Sequence, residues 1–136
     1  MSEMVWSNPL ILKAIKNPTG KGFEVKIKNP EITFLGASNQ PDFATIFITM
    51  YPSDLVIELK SLKLYFYQFR NKIISYERLI NVIYDDLMSA YKPVRLRLVM
   101  EFLPRGGLSS RITIDSDWSV RGGEEKFCDW IGMPED

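Results

Sequence analysis

A chain of 136 residues, of which 46% are hydrophobic, fits one domain with a buried core. Lys and Arg together number 17, as do Asp and Glu, and the resulting zero net charge disfavours general nucleic-acid binding. The absence of histidine excludes imidazole bases, histidine-containing triads and histidine zinc sites.

The first half of the chain carries two patterns typical of strands. Apolar and charged residues alternate over 23–28, and after an interruption at Asn29-Pro30 we expect the strand to resume through Phe34. A loop rich in turn residues follows, and residues 43–51 then alternate again. The two segments predict an antiparallel pair.

The spacing of apolar residues then changes from the period of strands to that of helices. Residues 61–70 place Leu62, Tyr65, Phe66 and Phe69 on one helical face. Ser75 is a suitable N-cap for a second helix, which Pro93 ends.

Two further strands follow the helices. Residues 94–103 alternate cleanly, a turn at 104–107 reverses the chain, and 110–115 form the last predicted strand. The order ββααββ predicts an α+β domain, with an antiparallel sheet and two helices on one of its faces. The other face and both sheet edges would be bare, so we expect a homo-oligomer joined through sheet edges.

Four stretches, in order and at matching spacing, resemble the NADPH-dependent 7-cyano-7-deazaguanine reductase (QueF) family. They are Gln40–Ile46 (QPDFATI), Glu58–Tyr65 (ELKSLKLY), Phe69–Asn71 leading to Glu77, and Pro104–Gly107. The resemblance implies the tunnelling fold, in which ββααββ units assemble into barrels with ligand sites between subunits. A pentamer or decamer is expected, built from a domain at 23–117 with an N-terminal arm at 1–22 and a tail at 118–136.

The resemblance also implies site residues. In the family a cysteine attacks the substrate nitrile to give a thioimide, which two hydrides from NADPH reduce. The proton-donating aspartate matches Asp42, the glutamate that binds the guanine-like edge matches Glu77, and the neighbouring histidine is replaced by Tyr76. The cysteine position falls on Leu35, or beside Gly36 if the loop is one residue shorter.

The remaining site residues are also implied by the matching motifs. Glu58 and Ser61 would contribute to substrate binding. Residues resembling the NADPH-contacting motifs are Lys60, Lys63, Arg105 and Gly106. No metal is expected.

A missing nucleophile changes the functional expectation, because neither leucine nor glycine can add to a nitrile as a thiolate does. The hypothesis we favour is a protein that binds a deazaguanine, purine or pterin ring at a subunit interface without nitrile reduction. One alternative is a reductase or related enzyme of queuosine biosynthesis with altered chemistry. Another is a non-catalytic structural partner of a cysteine-bearing paralogue.

The only cysteine, Cys128, lies in the tail and is interpreted as an incidental thiol. It excludes an intrachain disulfide and is typical of a reducing compartment. Because no apolar run approaches a membrane span and residues 1–16 do not resemble a signal peptide, we expect a cytoplasmic protein without membrane contact. The tail also contains Trp118 and Trp130, which could pack on a neighbouring subunit.

Overall fold

The computed structural model describes residues 5–117. Its helices and strands are, in chain order, β1 (Ala14–Lys16), β2 (Val25–Leu35), β3 (Pro41–Tyr51), β4 (Leu55–Ile57), α1 (Leu59–Tyr67), α2 (Tyr76–Tyr91), β5 (Arg95–Arg105) and β6 (Leu108–Asp115). Four strands form an antiparallel sheet in the order β2-β3-β5-β6. The predicted ββααββ arrangement is confirmed.

The strand predicted at 43–51 is present as β3, and its residues Ala44, Ile46, Ile48 and Met50 are buried beneath the helices as one face. The predicted alternation of buried and exposed residues holds only in part, because Phe47 and Thr49 on the opposite face are also buried. The interruption expected at Asn29-Pro30 is a register shift instead, and β2 continues as one strand across it. A β-bulge accommodates the proline because the residues there leave the regular hydrogen-bond ladder.

Each helix begins at a side-chain cap. The Glu58 carboxylate accepts a hydrogen bond from the Ser61 N–H at 2.8 Å, so α1 begins at Leu59, two residues before the predicted start. The Ser75 hydroxyl accepts one from the Arg78 N–H at 3.2 Å, and this predicted cap of α2 is confirmed. A 3₁₀ turn, Gln68–Asn71, extends α1 to within one residue of its predicted end.

The core lies between the two helices and one face of the sheet. Its fully buried residues come from the sheet, both helices and the segment between them; among them are Phe34, Ile46, Tyr65, Phe69, Ile74, Leu79, Ile83 and Leu98. This layer fixes α2 against β5 and β6. It therefore positions the N-terminus of α2 over one end of the sheet.

A two-stranded sheet that the sequence did not predict joins the N-terminal arm to the domain. β1 pairs antiparallel with β4, and the buried Leu12 belongs to the core. The Lys13 N–H donates to the Ser61 hydroxyl at 2.9 Å, and the Tyr91 hydroxyl donates to the Lys13 carbonyl at 2.7 Å. Part of the arm is thus packed into the fold.

In the described part of the chain, neither helix has the length and apolar character required to cross a bilayer. The C-terminal tail, with Cys128, Trp118 and Trp130, lies outside the described residues.

Candidate functional site

A pocket of about 380 Å³ opens where the loop between β2 and β3 meets the N-terminus of α2. Its volume falls within the range of ligand pockets in proteins, about 300–1,000 Å³. The lining residues are Gly36, Ala37, Ser38, Asp42, Ser75, Tyr76, Glu77 and Arg105. Of the residues that the sequence analysis assigned to a site, the pocket brings together Asp42, Tyr76, Glu77 and Arg105.

Asp42 is the buried polar centre of this pocket, with 5% of its side chain exposed. Its Oδ2 accepts a hydrogen bond from the Tyr76 hydroxyl at 2.6 Å and lies 3.5 Å from Arg105 Nη1. Its Oδ1 accepts from the Phe43 N–H at 2.9 Å. Both oxygens of the Asp42 carboxylate therefore have partners within the chain.

Tyr76 is fixed by aromatic packing as well as by Asp42. Its ring stacks on Phe102 with centroids 4.0 Å apart, and Phe34 meets it edge-on at 5.8 Å. Burial, followed by the hydrogen bond to Asp42, raises the pKa of Tyr76 to about 12. The phenol is therefore protonated at neutral pH and acts as a hydrogen-bond donor.

Glu77 lines the same pocket, in the first turn of α2. It is exposed, and no hydrogen bond or ion pair of its carboxylate joins it to another residue within 5–117. The helix dipole favours a negative charge at this position. A carboxylate so placed can accept two hydrogen bonds from a flat ring with neighbouring N–H groups.

Gly36 forms the wall of the pocket beside Asp42. A Cβ atom added there would lie 3.5 Å from Asp42 Oδ2 and 3.7 Å from the Gln40 carbonyl, which is ordinary van der Waals contact. Leu35 pairs with Pro41 and does not line the pocket, whereas Phe34 lies opposite Asp42. Because successive side chains of a strand point to opposite faces, Leu35 faces away from the carboxylate.

The loop that carries Gly36 is held at both ends. The Gly36 N–H donates to the Gln40 carbonyl at 2.8 Å, and the Asn39 N–H donates to the Gly36 carbonyl at 2.7 Å. Arg105 Nη2 donates to Gln40 Oε1 at 3.0 Å and its Nη1 to the Pro41 carbonyl at 3.3 Å. The sequence analysis did not identify Gln40 as the partner through which Arg105 binds this loop, although Gln40 belongs to the QPDFATI segment.

Two of the proposed substrate-binding residues lie elsewhere in the chain. Glu58 and Ser61 cap α1, and the Ser61 hydroxyl donates to the Glu58 carbonyl at 2.7 Å. Neither lines the pocket beside Glu77. Within one chain, Glu58 caps α1 and the Ser61 hydroxyl joins the start of α1 to Lys13 of the N-terminal arm.

The residues proposed to bind NADPH also lie in different parts of the structure. Lys63 lines a second groove of about 280 Å³ between β2 and α1, whose other cationic residues are Lys28 and Arg70. Lys60 lies on the exposed side of α1, and Gly106 lies in the β5–β6 turn with a φ of 58°. Within residues 5–117, no cluster of three acidic or cysteine side chains could hold a metal ion.

Removing the Tyr76 hydroxyl tests how far the pocket is held by its own contacts. We expect Tyr76→Phe to lower the free energy of unfolding by about 1–3 kcal/mol, because a buried carboxylate loses a hydrogen bond while the stack on Phe102 remains. Urea denaturation measures this. Tyr67→Phe, which alters an exposed residue, is the control, and an equal loss in both variants would contradict the expectation.

Known proteins resemble this chain in both sequence and fold. Residues 41–121 match the sequence model of a family described as QueF-like protein. The NADPH-dependent 7-cyano-7-deazaguanine reductase of a Nitratiruptor species is 44% identical over 102 residues, covering 74% of this chain and 78% of the reductase. The enzyme of the same description from Wolinella succinogenes is 41% identical over 110 residues, covering 80% and 89% respectively.

A solved structure resembles the described fold. The crystal structure of apo archaeosine synthase QueF-Like aligns with a TM-score of 0.64 at 16% identity, covering 68% of this chain and 92% of that chain. At this identity the likeness concerns the fold alone, and it confirms the expected tunnelling-fold architecture.

Proposed function

This chain belongs to the QueF-like family, and from that premise we propose that it binds a deazaguanine, purine or pterin ring without thioimide-based nitrile reduction. The observation that carries the proposal is Gly36 beside Asp42 in the pocket wall. A thioimide requires a sulfur atom bonded to the nitrile carbon, and glycine supplies none. This chain therefore lacks, at this position, the group that thioimide formation requires.

Glu77 supports the binding part of the proposal. Its carboxylate is exposed at the pocket mouth, and no described residue occupies its lone pairs. A guanine-like edge presents two parallel N–H donors to such a carboxylate. The ring would lie between Glu77 and the loop at 36–38, with the ring position that carries the nitrile towards Asp42.

Replacing Glu77 tests this placement. We expect Glu77→Gln to weaken the binding of 7-cyano-7-deazaguanine or a pterin by about ten- to hundredfold, because hydrogen bonds to a charged group contribute about 1.5–3 kcal/mol. Titration calorimetry across a panel of such heterocycles measures it. Asp85→Asn, which neutralises an exposed carboxylate on the same helix outside the pocket, is the control.

Two results would contradict the proposal in different ways. If the unmodified protein binds none of the heterocycles at millimolar concentration, the pocket has no such ligand and the structural-partner hypothesis replaces ours. If the protein binds one of them but Glu77→Gln leaves the affinity unchanged, the ring lies elsewhere.

NADPH is a further part of the proposal. Lys63 and Arg70 place two positive charges beside one acidic residue, Glu31, in the groove between β2 and α1, and this excess of positive charge fits the phosphates of a dinucleotide. When bound, NADPH supplies a hydride. Four residues resemble NADPH-contacting motifs, and of these Lys63 lines the groove. Lys60, Arg105 and Gly106 do not line it.

Assembly through sheet edges completes the proposal. β2 and β6 are the outer strands of the four-stranded sheet, and a second copy could pair with their backbone groups, except at Leu35, which already pairs with residues 72–74. We expect light scattering to give five or ten times the chain mass of 15.8 kDa at micromolar concentration. A stable species at the chain mass would contradict this expectation.

A further inference from the structure

The sheet face that points away from the helices is more deeply buried than the described residues explain. We call it the outer sheet face; its residues are Lys26, Lys28, Phe47, Thr49, Arg95, Arg97, Val99, Glu101, Arg111, Thr113 and Asp115. Val99 is 0% exposed and Phe47 is 7% exposed, yet neither belongs to the core cluster beneath the helices. No described helix lies over them.

Neighbouring side chains on the sheet cover only part of this patch. Lys28 Nζ lies 5.3 Å from the centre of the Phe47 ring, but Lys28 is itself exposed, and so is Lys26. Val99 lies one strand further in, between Phe47 and Thr113. A fully buried valine at the centre of a sheet face needs something packed against it.

The charge of the outer sheet face indicates the chemistry of what covers it. Five of its residues are basic and two, Glu101 and Asp115, are acidic. Asp115 forms ion pairs with Arg95 and Arg97 at 2.7 and 3.2 Å, and Glu101 lies 3.6 Å from Arg111. Lys26 lies 3.7 Å from Glu24, and both side chains are exposed. A segment with negative charge and apolar side chains would complement this patch.

Residues 118–136 have that composition. They contain five acidic residues against Arg121 and Lys126, together with the aromatic residues Trp118, Phe127 and Trp130. The segment continues directly from β6, whose last residue, Asp115, pairs with Arg97 on the outer sheet face. A segment of nineteen residues can extend about 60 Å. Phe47 lies two strands away from β6, a distance of about 10 Å, so the segment is long enough to reach it.

We propose that residues 118–136 dock on the outer sheet face of their own chain, with the aromatic side chains against Phe47 and Val99 and the acidic ones towards Lys26 and Lys28. The docked segment completes a second apolar layer on the side of the sheet opposite the helices. This inference is independent of the ligand proposed for the pocket.

A spin label on Cys128 tests the docking in the 136-residue chain, since this is the chain's only thiol. We expect the nitroxide to broaden the methyl signals of Val99 and Thr113 while those of Ile80 and Ile83, beneath α2, stay unchanged. Reversing two charges in Lys26→Glu/Lys28→Glu should restore the Val99 signal. Adding Glu124→Lys/Glu125→Lys to that variant should broaden it again.

Mixing spin-labelled chains with isotope-labelled chains that carry no spin label distinguishes the two possible sources of the segment. Stronger broadening in doubly labelled chains than in the mixed sample supports the proposal. Broadening of Val99 in the mixed sample that equals or exceeds it shows that a second copy supplies the segment, and it overturns docking within one chain. Unbroadened Val99 and Thr113 signals, or broadening that the charge reversal leaves intact, would also overturn the proposal.

Discussion

Gly36→Cys is expected to convert a protein that forms no covalent adduct with 7-cyano-7-deazaguanine into one that forms it stoichiometrically. The new thiol would lie beside the Asp42 carboxylate, within the pocket that we propose for the ring. Its sulfur adds to the nitrile carbon, and the thiol proton passes through Asp42 to the nitrile nitrogen, so the adduct mass equals that of protein plus ligand. Intact-protein mass spectrometry measures it.

Leu35→Cys is the matched control for this variant. It introduces the same thiol one residue away, on the side of β2 that does not face Asp42. We expect no adduct in Leu35→Cys or in the unmodified protein, whose Cys128 lies in the tail. Equal adducts in the two variants would refute the assignment of Gly36 as the position equivalent to the nucleophile, and stoichiometric adduct at Cys128 would refute the proposal that this chain forms no thioimide.

Asp115→Ala is expected to have the largest effect on stability, lowering the free energy of unfolding by about 3–5 kcal/mol. The Asp115 side chain is fully buried and accepts hydrogen bonds from Arg95 at 3.1 and 2.7 Å and from Arg97 at 3.2 Å. Its removal leaves two largely buried guanidinium groups without their shared carboxylate. Denaturant unfolding at neutral pH provides the measurement.

The pH dependence of the free energy of unfolding distinguishes the contribution of the Asp115 charge from the contribution of its packing. Burial alone would raise the pKa of Asp115, but hydrogen bonds from Arg95, the Asp117 N–H and Arg97 outweigh it, and the pKa is lowered from 3.8. Its contribution is therefore complete above pH 3.8 and is lost as the pH falls through the lower folded-state pKa. Asp115→Asn should lack this part of the acid transition, and an unchanged acid transition in that variant would contradict the argument.

The periodic parts of the fold were predictable from sequence because burial imposes a period on the chain. The position of β3 and the cap of α2 at Ser75 both follow from local residue types. β1 and β4 have three residues each, too few to establish an alternation, and they pair across 38 intervening residues. Their pairing depends on tertiary packing that no local pattern contains.

The candidate site was predictable only in part. Motif spacing identified Asp42, Tyr76, Glu77 and Arg105, and the structure brings these residues into one pocket. Spacing could not choose between Leu35 and Gly36, because a loop can lose one residue without changing either flanking motif. We infer Gly36 from the strand pairing of Phe34 with Asp42, which places Leu35 on the opposite face of the sheet from the carboxylate.

The backbone at Gly36 also has a consequence for how this chain could change in evolution. Its φ lies outside the left-handed region, and a Cβ atom would meet only ordinary contacts, so nothing in the fold requires glycine there. Two of the glycine codons become cysteine codons by a change of one base. The presence or absence of a thiol in this pocket is therefore separated by a single mutational step that needs no compensating change in the surrounding structure.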